Sequence, residues 1–401
     1  METMYIERSA LRMVLTRLFG RIAHAAYFTP ISPLRLSTFP DPPLPAPDWV
    51  RVRNRLCGIC GSDLHQIFLD ADLDVAPLAL PATRRIYLGH EMVGEVVEVG
   101  PEVRGLRPGH RVVRWGRGDD CRARGYTDLC PPCRRGHRVL CERASEPRQH
   151  EPIGGGFGDS FITPASTLVP VPDGLSDEQA IFTEPAAVAI HSVWRRVPAA
   201  GEKVLVIGCG TIGFLIVQVL RALAPECEIT AMAEFPWQAE LAKTFGAQHT
   251  LLAHEDGHAR VADITAARVY RGLRGNVMLM GGFDVVFDVV GIPSTLNQAL
   301  RWTRAGGTVV LVGVHLRRMR VDLTPVWYQE VNLIGAIGHD EVEWEGERIS
   351  TFDLAMRWML EGRLKVEPLL THRFPLRAYR QAFDVALDKR AHRSIKVAFD
   401  L

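Results

Sequence analysis

Apolar and polar positions change rhythm twice along this chain. Residues 48–115 carry short apolar runs punctuated by Gly and Pro, which predict strands at 49–55, 94–99 and 111–114. Residues 116–165 are rich in Arg, Gly and Cys with little periodicity, and predict a lobe organised by something other than an apolar core. From about 186, strand-like runs at 203–207, 228–233, 284–290 and 308–312 alternate with helix-like stretches at 212–223, 236–245 and 294–303. That alternation predicts an α/β unit with a parallel sheet covered on both faces. Beyond 338 the pattern is mixed, with helices expected at 351–360 and 378–387 and a last strand at 395–399.

The first thirty residues are less regular. Arg8, Arg12, Arg17 and Arg21 sit among apolar residues and loosely resemble an amphipathic targeting segment. The stretch lacks the unbroken apolar core and small-residue cleavage site of a secretory signal. The expectation is an ordinary first strand at 10–15, followed by an extended, proline-punctuated approach to the next strand.

The 401 residues predict two or three domains at roughly 100–200 residues each. With 47 basic and 46 acidic side chains the formal net charge is +1, so no long-range field recommends a nucleic acid or a membrane surface as partner. Arg114, Arg117, Arg122, Arg124, Arg134, Arg135 and Arg138 do cluster near the cysteines, but no recognition helix follows them. No run of ~18 apolar residues suggests a transmembrane helix. Eight cysteines without a secretory signal favour metal binding over disulfides, and a cytoplasmic address.

Gly208-Cys209-Gly210-Thr211-Ile212-Gly213 follows the apolar run 204–207 and opens a helical stretch. The first glycine permits a tight turn, the second lets the backbone approach a pyrophosphate, and the third lets helix pack on strand. In this strand–turn–helix setting the motif points to a dinucleotide. The acidic residue expected at the end of the second strand is Glu234, just after Ala233. A carboxylate there repels a 2′-phosphate, which favours NAD over NADP.

Two groups of metal-ligand residues stand out. Cys60-Gly61-Ser62-Asp63-Leu64-His65 ends a strand, Gly89-His90-Glu91 precedes another, and Glu184-Pro185 comes later. A catalytic zinc wants about three such ligands and an open position. Cys60 and His90 supply two, and either Glu91 or Glu184 the third. Cys57 reads as packing. Cys121, Cys130, Cys133 and Cys141 form the second group, and Cys130-x2-Cys133 is a spacing that sets two thiolates on one metal, so a structural zinc with four thiolates is expected.

Gly89-His90-Glu91-Met92-Val93-Gly94-Glu95, with Gly100 and Val103 after it, resembles the zinc signature of the medium-chain, zinc-dependent alcohol dehydrogenases, and Cys60-Gly61-Ser62-Asp63 resembles that family's first ligand motif. Residues 284–288 and 305–308 resemble its later coenzyme-domain strands, so the resemblance runs from about 10 to 401. It implies a GroES-like, mostly β catalytic domain at 1–185, with the zinc lobe at 116–145. A doubly wound Rossmann domain at 186–337 and a return to the catalytic domain at 338–401 would complete the chain. It further implies that Ser62 and His65 relay the alcohol proton and that Glu91 is an exchangeable or outer ligand. Glu184-Pro185 is similar to the sorbitol, threonine and glucose dehydrogenase branches. The lobe departs from the family: Thr127 stands where a first cysteine is usual, so Cys121, or failing it Asp128, is the fourth ligand.

The expected activity is hydride transfer between an alcohol, polyol or sugar hydroxyl and NAD or NADP, by a homodimer or homotetramer. Two rivals are a non-catalytic dinucleotide-binding redox sensor and a zinc-independent quinone reductase of similar fold. Neither needs Cys60, His90, Ser62, His65 and Glu184 together.

Overall fold

The computed structural model describes residues 1–72, 85–116, 119–146 and 148–401. Arg117 of the arginine cluster lies outside the described residues. The chain forms two compact units. One comprises Met1–Glu184, Glu343–Leu360 and Val366–Leu401; the other comprises Pro185–Val342 with Glu361–Lys365.

The first unit opens with strand β1 (Glu2–Glu7), helix α1 (Ala10–Gly20) and strand β2 (Leu34–Thr38). The strand expected at 10–15 is thus a helix, and the strand lies earlier. Leu11, Val14, Leu15 and Leu18 repeat at three and four residues rather than alternating, and the Ser9 side chain caps the helix by accepting from the Arg12 N–H. Next come β3 (Trp49–Gly58), α2 (Gly61–Ile67), β4 (Arg85–Tyr87), β5 (Glu91–Val99), β6 (Arg111–Arg114), β7 (Ser160–Pro164) and β8 (Leu168–Pro170). β1 lies between β2 and β4 in a three-stranded antiparallel sheet.

The larger sheet of this unit takes its edge from the chain's other end. With β15 (Leu370–Pro375) and β16 (Lys396–Asp400), named in chain order after the strands of the second unit, its order is β15-β16-β3-β5-β6-β8, and β7 also pairs with β3. Gly58 of β3 therefore faces Glu91 of β5 on one side and Ala398 of β16 on the other. Val50, Val52, Met92, Val96, Phe157, Phe161, Phe383 and Phe399 fill the core over these strands. Fully burying each such side chain contributes roughly 1.5–3 kcal/mol.

The second unit alternates strand and helix: α3 (Thr183–Trp194), which enters from the first unit, β9 (Lys203–Ile207), α4 (Thr211–Leu223), β10 (Glu228–Ala233), α5 (Pro236–Thr244), β11 (His249–Leu252), β12 (Phe283–Asp288), α6 (Pro293–Trp302), β13 (Thr303–Leu311) and β14 (Asn332–Gly335). Its sheet is parallel throughout, in the order β11-β10-β9-β12-β13-β14. This is the doubly wound order, whose reversal at the first strand opens a crevice over that strand's carboxyl end.

Candidate active site and metal centres

Cys60 ends the loop after β3 and is the N-cap of α2. Its own N–H donates to Asp63 Oδ2 at 3.1 Å. The other oxygen of Asp63 accepts from the Gly89 N–H at 3.2 Å and stands 3.5 Å from His90 Nδ1. One buried carboxylate thereby ties the Cys60 turn to the Gly89-His90 turn. A carboxylate at Nδ1 favours the tautomer protonated there, which leaves Nε2 with the lone pair. Burial opposes charge on His90, yet Asp63 and Cys60 hold its pKa well above the ordinary histidine value. Burial likewise opposes ionisation of Asp63, and the His90 imidazole overcomes it, holding that carboxyl below its usual range.

Cys60, His90 and Glu91 converge, with one ligand atom from each within 4.8 Å of the others. Thiolate, imidazole and carboxylate at that spacing fit zinc in a three-ligand site. Among the described residues Glu184 falls outside this group. It opens α3, where burial pushes its carboxyl up to about 7 against the pull of His90 and Lys396. Glu91 is buried and accepts from Lys396 Nζ, which also donates to the Ile59 carbonyl at 3.1 Å. Gly58 makes room for this pair, since a Cβ there would stand 2.4 Å from Glu91 Oε2.

Ser62 Oγ lies 3.5 Å from His90 Nε2. His65, one turn further along α2, pairs through Nδ1 with Asp70 at 3.1 Å and is partly exposed. Cys57 is fully buried in the core, and burial drives its pKa up.

Cys121, Cys130, Cys133 and Cys141 also converge within 4.8 Å, all buried. Cys121 joins the group despite its distance in sequence, with its sulfur 3.7 Å from that of Cys141. Asp128, the alternative fourth ligand, is exposed and pairs with Arg134 and Arg143 instead. Burial weighs against the thiolate of Cys130, but backbone N–H groups draw its pKa down to about 7, while burial raises Cys133 to about 11. Among the lobe's arginines, Arg138 pairs with Asp120 at 2.9 Å and covers the Trp115 ring, so its charge is used internally.

In the second unit, Gly208 follows β9 at φ +103°, a conformation that favours glycine. A Cβ on Gly213 would stand 1.8 Å from the Gly208 carbonyl oxygen, so only glycine closes this turn. Gly210 is the N-cap of α4 without a side-chain cap, and Thr211 and Ile212 are the helix's first two residues. Backbone N–H groups at such an end suit a phosphate. Glu234 is exposed directly after β10, and its N–H donates to Gln238 Oε1 at 3.2 Å.

Sequence reasoning gave no role to Asp63 or Lys396. Asp63 was visible as an acid in a helix's first turn. Lys396 was visible as a cation inside an otherwise apolar final strand.

Residues 46–173 match the family model for the alcohol dehydrogenase GroES-like domain, and 211–358 that for zinc-binding dehydrogenase. The chain is 30% identical over 383 residues to L-idonate 5-dehydrogenase of Vitis vinifera, covering 94% of each. It is 30% identical to sorbitol dehydrogenase of Arabidopsis thaliana, covering 94% of this chain and 95% of the relative. Among solved structures, a zinc-binding dehydrogenase from Sinorhizobium meliloti bound to NADP superposes with a TM-score of 0.68 at 26% identity, over 92% of this chain and 95% of that one. With the ligand geometry and the coenzyme turn in place, these likenesses over nearly the full length settle the kinship: the chain belongs to the zinc-dependent medium-chain dehydrogenase family of nicotinamide-linked oxidoreductases.

Proposed function

We propose that the protein oxidises a secondary hydroxyl of a polyol or related sugar derivative, with Cys60, His90 and Glu91 holding the catalytic zinc. The observation that carries this reading is the convergence of those three ligand atoms within 4.8 Å. When bound, zinc supplies Lewis acidity to the substrate oxygen and nicotinamide accepts the hydride. Asp63 holds the His90 imidazole in orientation through Nδ1. Ser62 Oγ, near His90 Nε2, takes up the hydroxyl proton and passes it along α2 towards His65, which lies on the same helical face. Glu184, whose carboxyl burial raises to about 7, is a group that can exchange a proton with its surroundings near neutrality. Lys396 neutralises Glu91 and restrains its carboxylate.

Cys121, Cys130, Cys133 and Cys141 hold a structural zinc. Gly208, Gly210, Thr211, Ile212 and Gly213 cradle the pyrophosphate, and Glu234 takes the adenosine ribose, favouring NAD. A homo-oligomer is part of the proposal: β14 is an edge strand, and Trp327, Tyr328 and Ile337 near it are exposed. So is a cytoplasmic address, supported by eight free cysteines; no helix among the described residues is long and apolar enough to cross a membrane.

The test is a panel of simple alcohols, polyols and sugars offered to zinc-loaded protein with NAD and NADP in parallel, followed by nicotinamide absorbance. Polyol turnover with NAD is expected. Absence of turnover across the panel, or a Cys60→Ser variant as active as the parent, would overturn the reading.

A further inference from the structure

Helix α1 carries its apolar face outward. Thr16 is its buried residue; the Thr16 hydroxyl donates to the Ile31 carbonyl at 3.2 Å, and Met13 packs against the core. At about 100° per residue, Leu11, Val14 and Leu18 fall on the opposite side, and Ile22 continues that stripe past the helix end. Phe19 flanks it. Their exposures are 69% for Leu11, 48% for Val14, 57% for Leu18, 49% for Phe19 and 85% for Ile22. A helix serving only its own core has the reverse orientation, as in α6, which buries Leu296, Ala299, Leu300 and Trp302 on one face.

Arginines border the stripe, Arg12 on one edge and Arg17 and Arg21 on the other. Arg12 pairs with Glu7 at 3.4 Å and Arg17 with Asp72 at 3.7 Å, yet both remain about a third exposed. Between Glu7 and Asp41 the sequence holds five arginines and no acidic residue. A formal net charge of +1 for the whole chain conceals this local excess. The helix is also firmly mounted: Phe28, in the turn after it, stacks on Phe383 at 6.3 Å and His24 on Phe68 at 5.0 Å.

We propose that α1 is a membrane-surface anchor that lies in the plane of an anionic bilayer, with the Leu11–Ile22 stripe at the headgroup–acyl boundary and its arginines among acidic headgroups. An apolar stripe bordered by cations on one helix is the geometry of interfacial binding. Charge argues against a second copy as occupant, because a two-fold self-pairing of this face sets arginines against arginines. The anchoring is reversible and salt-sensitive, since a single short helix buries little area and headgroup attraction is screened within a Debye length.

The experiment is flotation of the zinc-loaded full chain with phosphatidylcholine vesicles containing roughly one part in four phosphatidylserine, against pure phosphatidylcholine vesicles. The protein is expected to float with the anionic vesicles alone and to be released at high salt. Leu18→Glu with Ile22→Glu should lower binding by at least about tenfold, and Arg21→Gln by about fivefold. Dehydrogenase activity and oligomeric mass should stay unchanged, which shows that the variants fold. Three results overturn the proposal: equal binding to neutral vesicles, a change of oligomeric mass in Leu18→Glu/Ile22→Glu, or no flotation at all. The last would leave an acidic protein as the occupant of this face.

Discussion

The two ligand clusters of the first unit are built in opposite ways. Cys60, His90 and Glu91 stand at the ends of β3, α2 and β5, elements that a large apolar core already fixes. Their neighbours Asp63 and Lys396 are satisfied by hydrogen bonds that need no metal. In the lobe, Cys130 caps and Cys133 sits within a single helical turn, Pro131–Arg134, Cys141 ends a short turn at Arg138–Leu140, and Cys121 lies upstream of both. Among the described residues, only Tyr126, Leu129 and Ala144 pack beside them as partly buried apolar residues. On the proposed ligand assignment, the fold positions the ligands of the first cluster, whereas the ligands of the second hold the fold. Chemistry follows the same division. Three mixed donors would leave zinc an open position and enough effective positive charge to polarise an oxygen, while four thiolates would close the site and outweigh the metal's charge.

That contrast can be broken experimentally, and the largest effect should come from Cys60→Ser. Turnover is expected to drop by at least about a thousandfold with one of two zinc equivalents lost, while Tm moves by no more than about 2 °C. A collapse of Tm would show that this site, too, holds the fold. Cys133→Ser should do the opposite: roughly a 10 °C fall in Tm with most turnover retained at low temperature, checked by calorimetry beside steady-state assay. Asp63→Asn sharpens the picture, because it keeps the three ligands and removes the group that orients His90. Zinc affinity, read by competition with a chromophoric chelator, should weaken by about 10–100-fold. The smallest effect belongs to Asp128→Ala. If Cys121 completes the lobe, metal content stays at two and Tm shifts by about 1 °C or less; loss of the second zinc would return Asp128 to the ligand set.

What the sequence made legible divides along the same line between local and distant. The turn from Gly208 to Gly213 could be read directly, because Gly213 is required by a contact within six residues, the Gly208 carbonyl, and Gly208 by its own positive φ. Period alone disclosed β9, β10, β12 and β13 with the helices α4, α5 and α6 between them, but not β11. The choice between Glu91 and Glu184 could not, since it depends on where β5 and α3 carry each carboxylate. Lys396 meets Glu91 across 305 residues, and only the register of β16 on β3 and β3 on β5 brings them together. The strand expected at 10–15 failed for another reason. Short apolar runs serve strand and helix alike, and this one points away from the core that would have disclosed its period.

The attachment of α1 has a consequence for how such a chain can change. Ile6 pairs with Leu34, so the insertion that carries the helix leaves and re-enters the sheet at adjacent points. Lengthening or rewriting a loop closed in this way costs little, because closure entropy grows only slowly with length. Residues 8–33 therefore behave as a cassette on the rim of a β-hairpin. Descendants of this chain could rewrite the outward face of the helix for a different address while keeping Met13, Thr16 and Phe28, which seat it on the core.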